Sequence, residues 1–409
     1  MAELIAWIDG REVGRFAEQH VADGSLFSFE YMDGATAENL VSLTMVPLPQ
    51  RRRFDSRSFP PAFEMILPEG ERRQRIEGAR KIVRTDDFSL LSYVGANPVN
   101  RVRFLQPATA VDQEIPRLPT PMEILNCSAG QALFQKLMAD LDLRQGIAGV
   151  QPKVLGAIEG TQKMSLELRE HRGSTHILKA STRPFPFLAV NEFICLNVFK
   201  SAGLMIPNVT LSADGELLLV ERFDVLGDAR HLGFEEAAVL MGETSATKYQ
   251  RDYGSMIESL ALFVDPQTED AMRRDVTKAL VLNWLLGNGD AHLKNFGVLY
   301  HNDLDARLAP LYDVVSTLPY IPEDVPALAL SFEWYSKDWW PRTRIEEFAR
   351  SHGKLSREDT IRLFEECLAA VDNGLQLAKQ AGKQIEGFAE LAATLIKLWT
   401  TRMATFRAA

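Results

Sequence analysis

The chain has 409 residues, enough for two or three folding units with sizeable cores, and its composition (46% hydrophobic, 24% charged) is that of an ordinary globular protein. A formal net charge of −10 excludes a surface that binds nucleic acid as a whole. Arg51, Arg52, Arg53 and Arg57, then Arg72, Arg73, Arg75, Arg80, Lys81 and Arg84, make one region locally basic, and a solvated face is the plainer reading of it. Cys127, Cys195 and Cys367 are far apart and form no Cys-x-x-Cys pair, which argues against structural zinc and fits a reducing cytoplasm. No basic stretch precedes an apolar one at the N-terminus, and no apolar run nears the ~18 residues of a membrane helix.

Residues 1–107 read as strands joined by short connections. Leu4 to Ile8 precedes Asp9-Gly10, a hairpin turn signal, Val13 to Phe16 returns, and Phe27 to Tyr31 alternates like a half-buried strand. Pro60-Pro61 opens a helix with Phe63, Ile66 and Leu67 on one side, Pro68-Glu69-Gly70 interrupts it, and Arg72 to Val83 resumes. Pro107, Pro116, Pro119 and Pro121 mark a linker. A second mixed unit follows: a helix over Gln131 to Leu143, strands at Val154 to Ile158, Met164 to Arg169 and Thr175 to Lys179, a helix with Phe193, Leu196, Asn197 and Lys200, and a strand at Glu216 to Phe223. From 226 the pattern turns helical, with Met272 to Leu286 leading into a polar loop and Arg344 to Arg350, Glu358 to Gln380 and Ile385 to Phe406 closing the chain.

A β-rich half before a helical half is the layout of a two-lobed phosphotransferase with nucleotide between the lobes. It is not the strand–helix alternation of a dinucleotide fold. The expected class is α+β, a bilobal protein-kinase-like fold: a β-rich N-terminal subdomain (1–107), a linker (108–130), a kinase N-lobe (131–225) and an all-α C-lobe (226–409).

Gly287-Asn288-Gly289-Asp290-Ala291-His292-Leu293-Lys294-Asn295, followed by Tyr312-Asp313, carries the most chemical information. It sets an Asp, an Asn five residues later, and a second Asp beyond the strand-like Phe296 to Tyr300. Phosphoryl transfer needs that set: one carboxylate orients the attacking hydroxyl, and an amide oxygen and a second carboxylate hold magnesium on the nucleotide phosphates. Asp290 is therefore the candidate base. Lys294 is the candidate cation for the transferring group, and Asn295 and Asp313 are the candidate metal ligands. His292 reads as a hydrogen-bonding residue of the nucleotide-side set rather than a base, since Asp290 fills that role.

Gly146 to Lys153 is a small-residue loop entering a strand. Its glycines let backbone N–H groups approach phosphates, which makes Ala148, Gly149, Val150, Gln151 and Lys153 nucleotide-binding candidates. The Gly-Lys-Ser/Thr ending of a Walker loop is absent, and an ordinary turn is the alternative. Lys179, ending an apolar strand, can reach α- and β-phosphates or else face solvent. Glu192 can pair with Lys179, or serve as a first-turn carboxylate favoured by the helix dipole. Glu221 and Phe223, in Glu221-Arg222-Phe223-Asp224, fall where a kinase hinge reads the adenine edge, unless the segment is a plain strand-end charge cluster. Phe332, Trp334, Tyr335, Trp339 and Trp340 read as a packing cap on the helical lobe, with a partner-binding patch as the alternative.

Taken in order, these residues resemble the HipA family of bacterial serine/threonine kinases, the toxins of HipA–HipB modules. The likeness rests on Leu4 to Gly14, Pro61 to Arg72, Phe88 to Leu91, Ile147 to Lys153, His176 to Lys179, Asn191-Glu192, Glu221 to Asp224, Asp290 to Asn295 and Tyr312-Asp313. It implies ATP and magnesium as cofactors, and transfer of the γ-phosphoryl group to a protein serine or threonine. The family's substrates include glutamyl- and tryptophanyl-tRNA synthetases, whose inactivation causes growth arrest or persistence. It also implies a small helix-turn-helix antitoxin as partner, which supplies most of the affinity for operator DNA. Two departures stand out. Gly146 occupies the position where well-known members carry an autophosphorylated serine, and no Ser or Thr lies between Ala129 and Gly160, so that off-switch is not expected here. Val94 to Asn100 differs from the family's Gly-Arg-Asp-rich segment, and Pro98 stiffens it. A kinase acting on a small-molecule hydroxyl, and a catalytically idle scaffold acting through an antitoxin, are the rival readings.

Overall fold

The structure, a computed structural model, describes residues 2–83, 86–107, 118–140, 145–146, 153–157, 174–226, 230–321, 328–332 and 339–408. Ala148, Gly149, Val150 and Gln151 of the expected phosphate loop, the strand expected at Met164 to Arg169, and Trp334 and Tyr335 lie outside the described residues.

The chain opens with three antiparallel strands, β1 (Ala2–Ile8), β2 (Arg11–Val21) and β3 (Gly24–Tyr31). Asp9 and Gly10 both take positive φ (46° and 77°), the two-residue turn whose twist matches the strands it joins. There follow β4 (Arg53–Ser56), α1 (Pro61–Glu64), α2 (Gly70–Arg80), α3 (Asp87–Val94), β5 (Asn97–Pro98) and β6 (Arg103–Leu105), giving a sheet in the order β4-β3-β2-β1-β6. Alternation turns Phe16 and Phe29 inward. There the Phe16 ring centre lies 4.7 Å from Phe63 of α1 and 5.3 Å from Phe88 of α3. Each such buried ring stabilises the fold by about 2 kcal/mol. The helix expected through Ile66 and Leu67 stops at Glu64. Pro68 drives the residue before it out of the helical region, yet Ile66 and Leu67 stay buried.

The next unit holds α4 (Pro121–Leu125), α5 (Gly130–Asp140), β7 (Gln145–Gly146), β8 (Lys153–Gly156), β9 (His176–Ala180), α6 (Leu188–Ser201), β10 (Val209–Leu211) and β11 (Leu217–Glu221). Its sheet is antiparallel, in the order β10-β11-β9-β8. Within the expected linker, Pro121 instead opens α4, where Thr120 and Glu123 form a reciprocal capping box.

The C-terminal half contains β12 (Gly233–Glu236), α7 (Ala237–Leu240), α8 (Tyr253–Phe263), α9 (Glu269–Leu286), β13 (Gly297–Tyr300), β14 (Arg307–Leu308), α10 (Arg342–Ser351), α11 (Arg357–Gln384) and α12 (Ala389–Ala408). The sheet β12-β13-β14 is a departure from a purely helical second half. Gly-Phe-Glu-Glu carries no apolar alternation, so β12 has no sequence signal; both carboxylates are buried instead. Gly233 is required there because a Cβ would come within 2.3 Å of the Tyr300 ring. At the centre lies α9, apolar and buried through its last three turns. It ends at Gly287 (φ 69°), and its orphan carbonyls are satisfied from other elements. Trp399 Nε1 (3.0 Å) and Ser316 Oγ (2.6 Å) donate to Leu286, and Arg402 Nε (2.6 Å) donates to Trp284. Of the C-terminal aromatic group, Phe332 stacks on Trp340 at 5.0 Å, and Trp339 packs against Trp284 at 6.4 Å.

The N-terminal sheet is docked on this half. Phe234, Val239 and Leu299 share its core, and Leu43 N–H donates to Glu235 Oε1 at 2.7 Å. Arg101 donates to the Leu40 carbonyl at 2.7 Å and to the His301 carbonyl at 2.9 Å.

Candidate active site

Lys153 and Lys179 are direct cross-strand partners on β8 and β9, so both side chains leave the same face of the sheet. Two like charges side by side are unfavourable unless anions answer them. Lys179 Nζ meets both Glu192 of α6 and Asp313, and Lys153 Nζ lies 3.8 Å from the other Asp313 oxygen. Lys179 is 3% exposed, which rules out a solvent-facing strand end. Burial opposes its charge, but Asp313 and Glu192 outweigh burial and raise its pKa above the usual lysine value. Burial likewise opposes ionisation of Asp313, and Lys153 and Lys179 overcome it, holding the carboxyl below the usual range. Glu192 sits in the second turn of α6, not the first, so the helix dipole is not its partner. Its Oε2 is buried without a hydrogen bond. Next to it, Asn191 exchanges two hydrogen bonds with the Ser316 backbone (2.9 and 3.0 Å), tying α6 to the segment that carries Asp313. Asp313 takes φ +53°, a conformation that its short polar side chain tolerates better than most.

The Asp290 loop is stitched internally. Asp290 N–H donates to Asn288 Oδ1 (2.9 Å), and Asn288 Nδ2 donates to Asn283 Oδ1 on α9 (2.8 Å). Asn295 Oδ1 accepts from His292 N–H at 3.0 Å, leaving one lone pair for a cation. Burial lowers the His292 pKa to about 4, and its Nδ1 accepts from Lys294 N–H at 3.3 Å, so the neutral ring keeps Nε2 as a donor. The Asp290 carboxylate accepts from Tyr249 Oη at 2.7 Å. The two clusters are joined through Tyr312, whose hydroxyl donates to the Lys294 carbonyl at 2.7 Å and which precedes Asp313.

The Lys294 ammonium is held by a group of acidic and hydroxyl side chains. It lies 2.5 Å from Glu69 Oε1, 3.1 Å from Ser245 Oγ and 3.5 Å from Glu236 Oε2. Glu69 also holds Lys248 at 3.0 Å. Burial opposes its charge, but the two lysines outweigh burial and bring its carboxyl down to about 2. Burial, with Glu69 and Glu64 close by, raises Glu236 to about 7 despite Lys294. Glu69, Glu236, Lys248, Ser245 and Tyr249 carry no site signal in the sequence; Pro68-Glu69-Gly70 reads there as a helix break within a stretch of the family likeness.

Phe223 packs against Tyr312 (5.6 Å between ring centres) and Phe234 (5.4 Å), beside the segment bearing Asp313. The Glu221 side chain turns outward and accepts from Asn208 Nδ2 at 2.8 Å, and its backbone N–H donates to the Asn208 carbonyl at 2.9 Å. Between them Arg222 is buried in a two-pronged pair with Asp224 (3.0 and 2.5 Å) and donates to Ser174 Oγ at 2.7 Å, which fixes the strand end. Asn97 and Pro98 pair in parallel with Gln145 and Gly146, so the segment that departs from the family pattern flanks the entrance of the small-residue loop.

Comparison with known proteins matches two family models to this chain: the HipA N-terminal domain over residues 4–105 and the HipA-like C-terminal domain over residues 145–375. A Sinorhizobium fredii protein, Y4mE, described provisionally as a kinase, is 31% identical over 353 residues, 80% of each chain. The serine/threonine-protein kinase toxin HipA of Shewanella oneidensis is 24% identical over 274 residues, 62% of each chain. The HipA of a Shewanella oneidensis MR-1 complex with HipB and operator DNA superposes with a TM-score of 0.73 at 20% identity, over 99% of this chain and 97% of that one. That likeness establishes the fold, an α+β, bilobal, kinase-like one.

Proposed function

The chain belongs to the HipA family, and from that premise we propose that it is an ATP- and magnesium-dependent protein serine/threonine kinase. Lys179, held between Glu192 and Asp313 with Lys153 on the same carboxylate, carries this assignment. A buried pair of ammonium groups suits phosphate oxygens, and Glu192 keeps Lys179 charged and aimed. Asp290 would accept the proton of the acceptor hydroxyl, and His292 Nε2 would donate to a phosphate oxygen. The backbone from Glu221 to Phe223 would meet the adenine edge. Among the described residues no three His, Cys, Asp or Glu side chains stand together as a metal site. Magnesium in such enzymes takes one or two protein oxygens and completes its shell from phosphates and water, a demand that Asp313 and Asn295 fit. ATP bound with that ion supplies the γ-phosphoryl group and an electrophile whose developing charge is neutralised.

The same reading extends to a helix-turn-helix antitoxin of the HipB kind as partner, supported by the HipB-containing Shewanella assembly. That partner would supply most of the operator DNA affinity. Within the basic run, Arg52 is paired with Asp33, Arg53 with Asp55, and Arg73 with Glu77 and Asp87. A translation protein such as an aminoacyl-tRNA synthetase is the proposed substrate class, with the cytoplasm, where ATP and such acceptors meet, as the working compartment; growth arrest would follow. Transfer of labelled γ-phosphate from ATP–Mg in a cell lysate, wild type against Asp290→Asn, tests this. Label on a protein band, lost in the variant, is expected. Label confined to small molecules, or none with either protein while ATP still binds, would refute it.

A further inference from the structure

The geometry points to Tyr249 as a built-in stand-in for the acceptor: its phenol occupies the place on Asp290 that a substrate hydroxyl must take. This rests on the reading of Asp290 as the base. A base that orients an acceptor does so by accepting a hydrogen bond from its O–H. In this structure that bond is made from within the chain, Tyr249 Oη donating to Asp290 Oδ1 at 2.7 Å. Asp290 is otherwise exposed and Tyr249 is 38% exposed, so the pair lies at the open side of the loop, where an acceptor would arrive.

The phenol is held there by more than its own hydrogen bond. Its ring meets the His292 ring edge to face at 5.0 Å. The Lys248 carbonyl accepts from Leu293 N–H at 3.4 Å, and the Lys248 ammonium is 3.0 Å from Glu69. Behind it the chain is wound as a turn, with Thr247 N–H on the Thr244 carbonyl (3.0 Å) and Gln250 N–H on the Thr247 carbonyl (2.9 Å). Oη therefore cannot advance towards a phosphate without breaking this brace, and it occupies Asp290 Oδ1 until an acceptor displaces it. Burial, and then the charge of Asp290, raise the phenol's pKa above its usual value, so it stays a neutral donor at any working pH. Water competes for Asp290 by the same route as a substrate hydroxyl, and Tyr249 holds the Oδ1 position against it.

Phosphate release from ATP–Mg, with water as the acceptor, reads this directly in the full chain. Tyr249→Phe keeps the ring on His292 and removes only the hydroxyl. Its expected effect is a three- to tenfold rise in phosphate release, abolished again in Tyr249→Phe/Asp290→Asn, with the KM for ATP and the thermal midpoint unchanged. Asp290-dependent release that ignores Tyr249, or falls without it, would overturn the inference alone. Phosphate accumulating on Tyr249 itself, read by mass spectrometry, would also overturn it, because the phenol would then be a substrate. Release no greater in wild type and Tyr249→Phe than in Asp290→Asn, with ATP bound to all, would overturn the kinase reading and this inference together.

Discussion

Replacing Glu69 with Gln should loosen the joint between the N-terminal sheet and the Asp290 loop. The Glu69 carboxylate lies 2.5 Å from Lys294 Nζ and 3.0 Å from Lys248 Nζ, and the three side chains are only 14%, 6% and 10% exposed. Its pKa falls from 4.5 to about 2. At ~1.4 kcal/mol per unit, that shift corresponds to at most about 3.5 kcal/mol of stability at pH 7. Lys294 keeps Glu236 at 3.5 Å and Ser245 at 3.1 Å, so the loss expected from Glu69→Gln is nearer ~2 kcal/mol. Urea unfolding of wild type, Glu69→Gln, Lys294→Met and the double variant should give a coupling of about 1–2 kcal/mol. A depressed carboxylate contributes stability above its unfolded pKa of ~4.5 and loses it as pH falls through about 2. The gap between wild type and Glu69→Gln should therefore shrink between pH 4.5 and 2. A coupling below ~0.5 kcal/mol, or a gap as wide at pH 3 as at pH 7, would refute the assignment of this joint to the ion pairs.

Lys179→Met leaves Glu192 and Asp313 without their shared cation; a stability loss of about 2–3 kcal/mol and at least a ~100-fold fall in labelled phosphate transfer are expected, and near-normal transfer would contradict the site. Burial raises Glu235 to about 7, against the pull of Tyr300 and Leu43, so its contribution is present below pH ~4.5 and lost as pH rises through about 7. Glu235→Gln should flatten the fall in stability between pH 5.5 and 8 by roughly 1–2 kcal/mol in urea unfolding at the two pH values. Trp399→Phe removes one of two donors to the Leu286 carbonyl, and about 1 kcal/mol, read as a small drop in thermal midpoint, is expected. Phosphosite mapping after incubation with ATP should find no inactivating site near Gly146; inactivation by phosphate at Thr161 or Ser165 would contradict this.

Lys294 illustrates where reading from the sequence stops. Its position beside Asn295 suggested a cation for the transferring group, but its ammonium is taken by Glu69, 225 residues away in the chain. No local pattern connects the two, and nothing around Glu69 marks it as a partner of that loop. Conversely, the strand carrying Lys179 and the polar loop carrying Asp290 and Asn295 were legible as elements. Apolar alternation, the Gly287 helix stop and the spacing of polar residues are all short-range properties. The β12 strand was not legible, because its two inward glutamates are tolerated only where Tyr300, Leu43 and Lys294 come to meet them.

The sequence by itself determined the α+β class, the opening strands, the closing helices and the family, since propensity, periodicity and turn chemistry act within a few residues. Only the tertiary structure decided which charges meet: Lys179 with Asp313 and Lys294 with Glu69. Those pairings depend on which faces the packed core brings together, and burial then makes each one strong enough to matter.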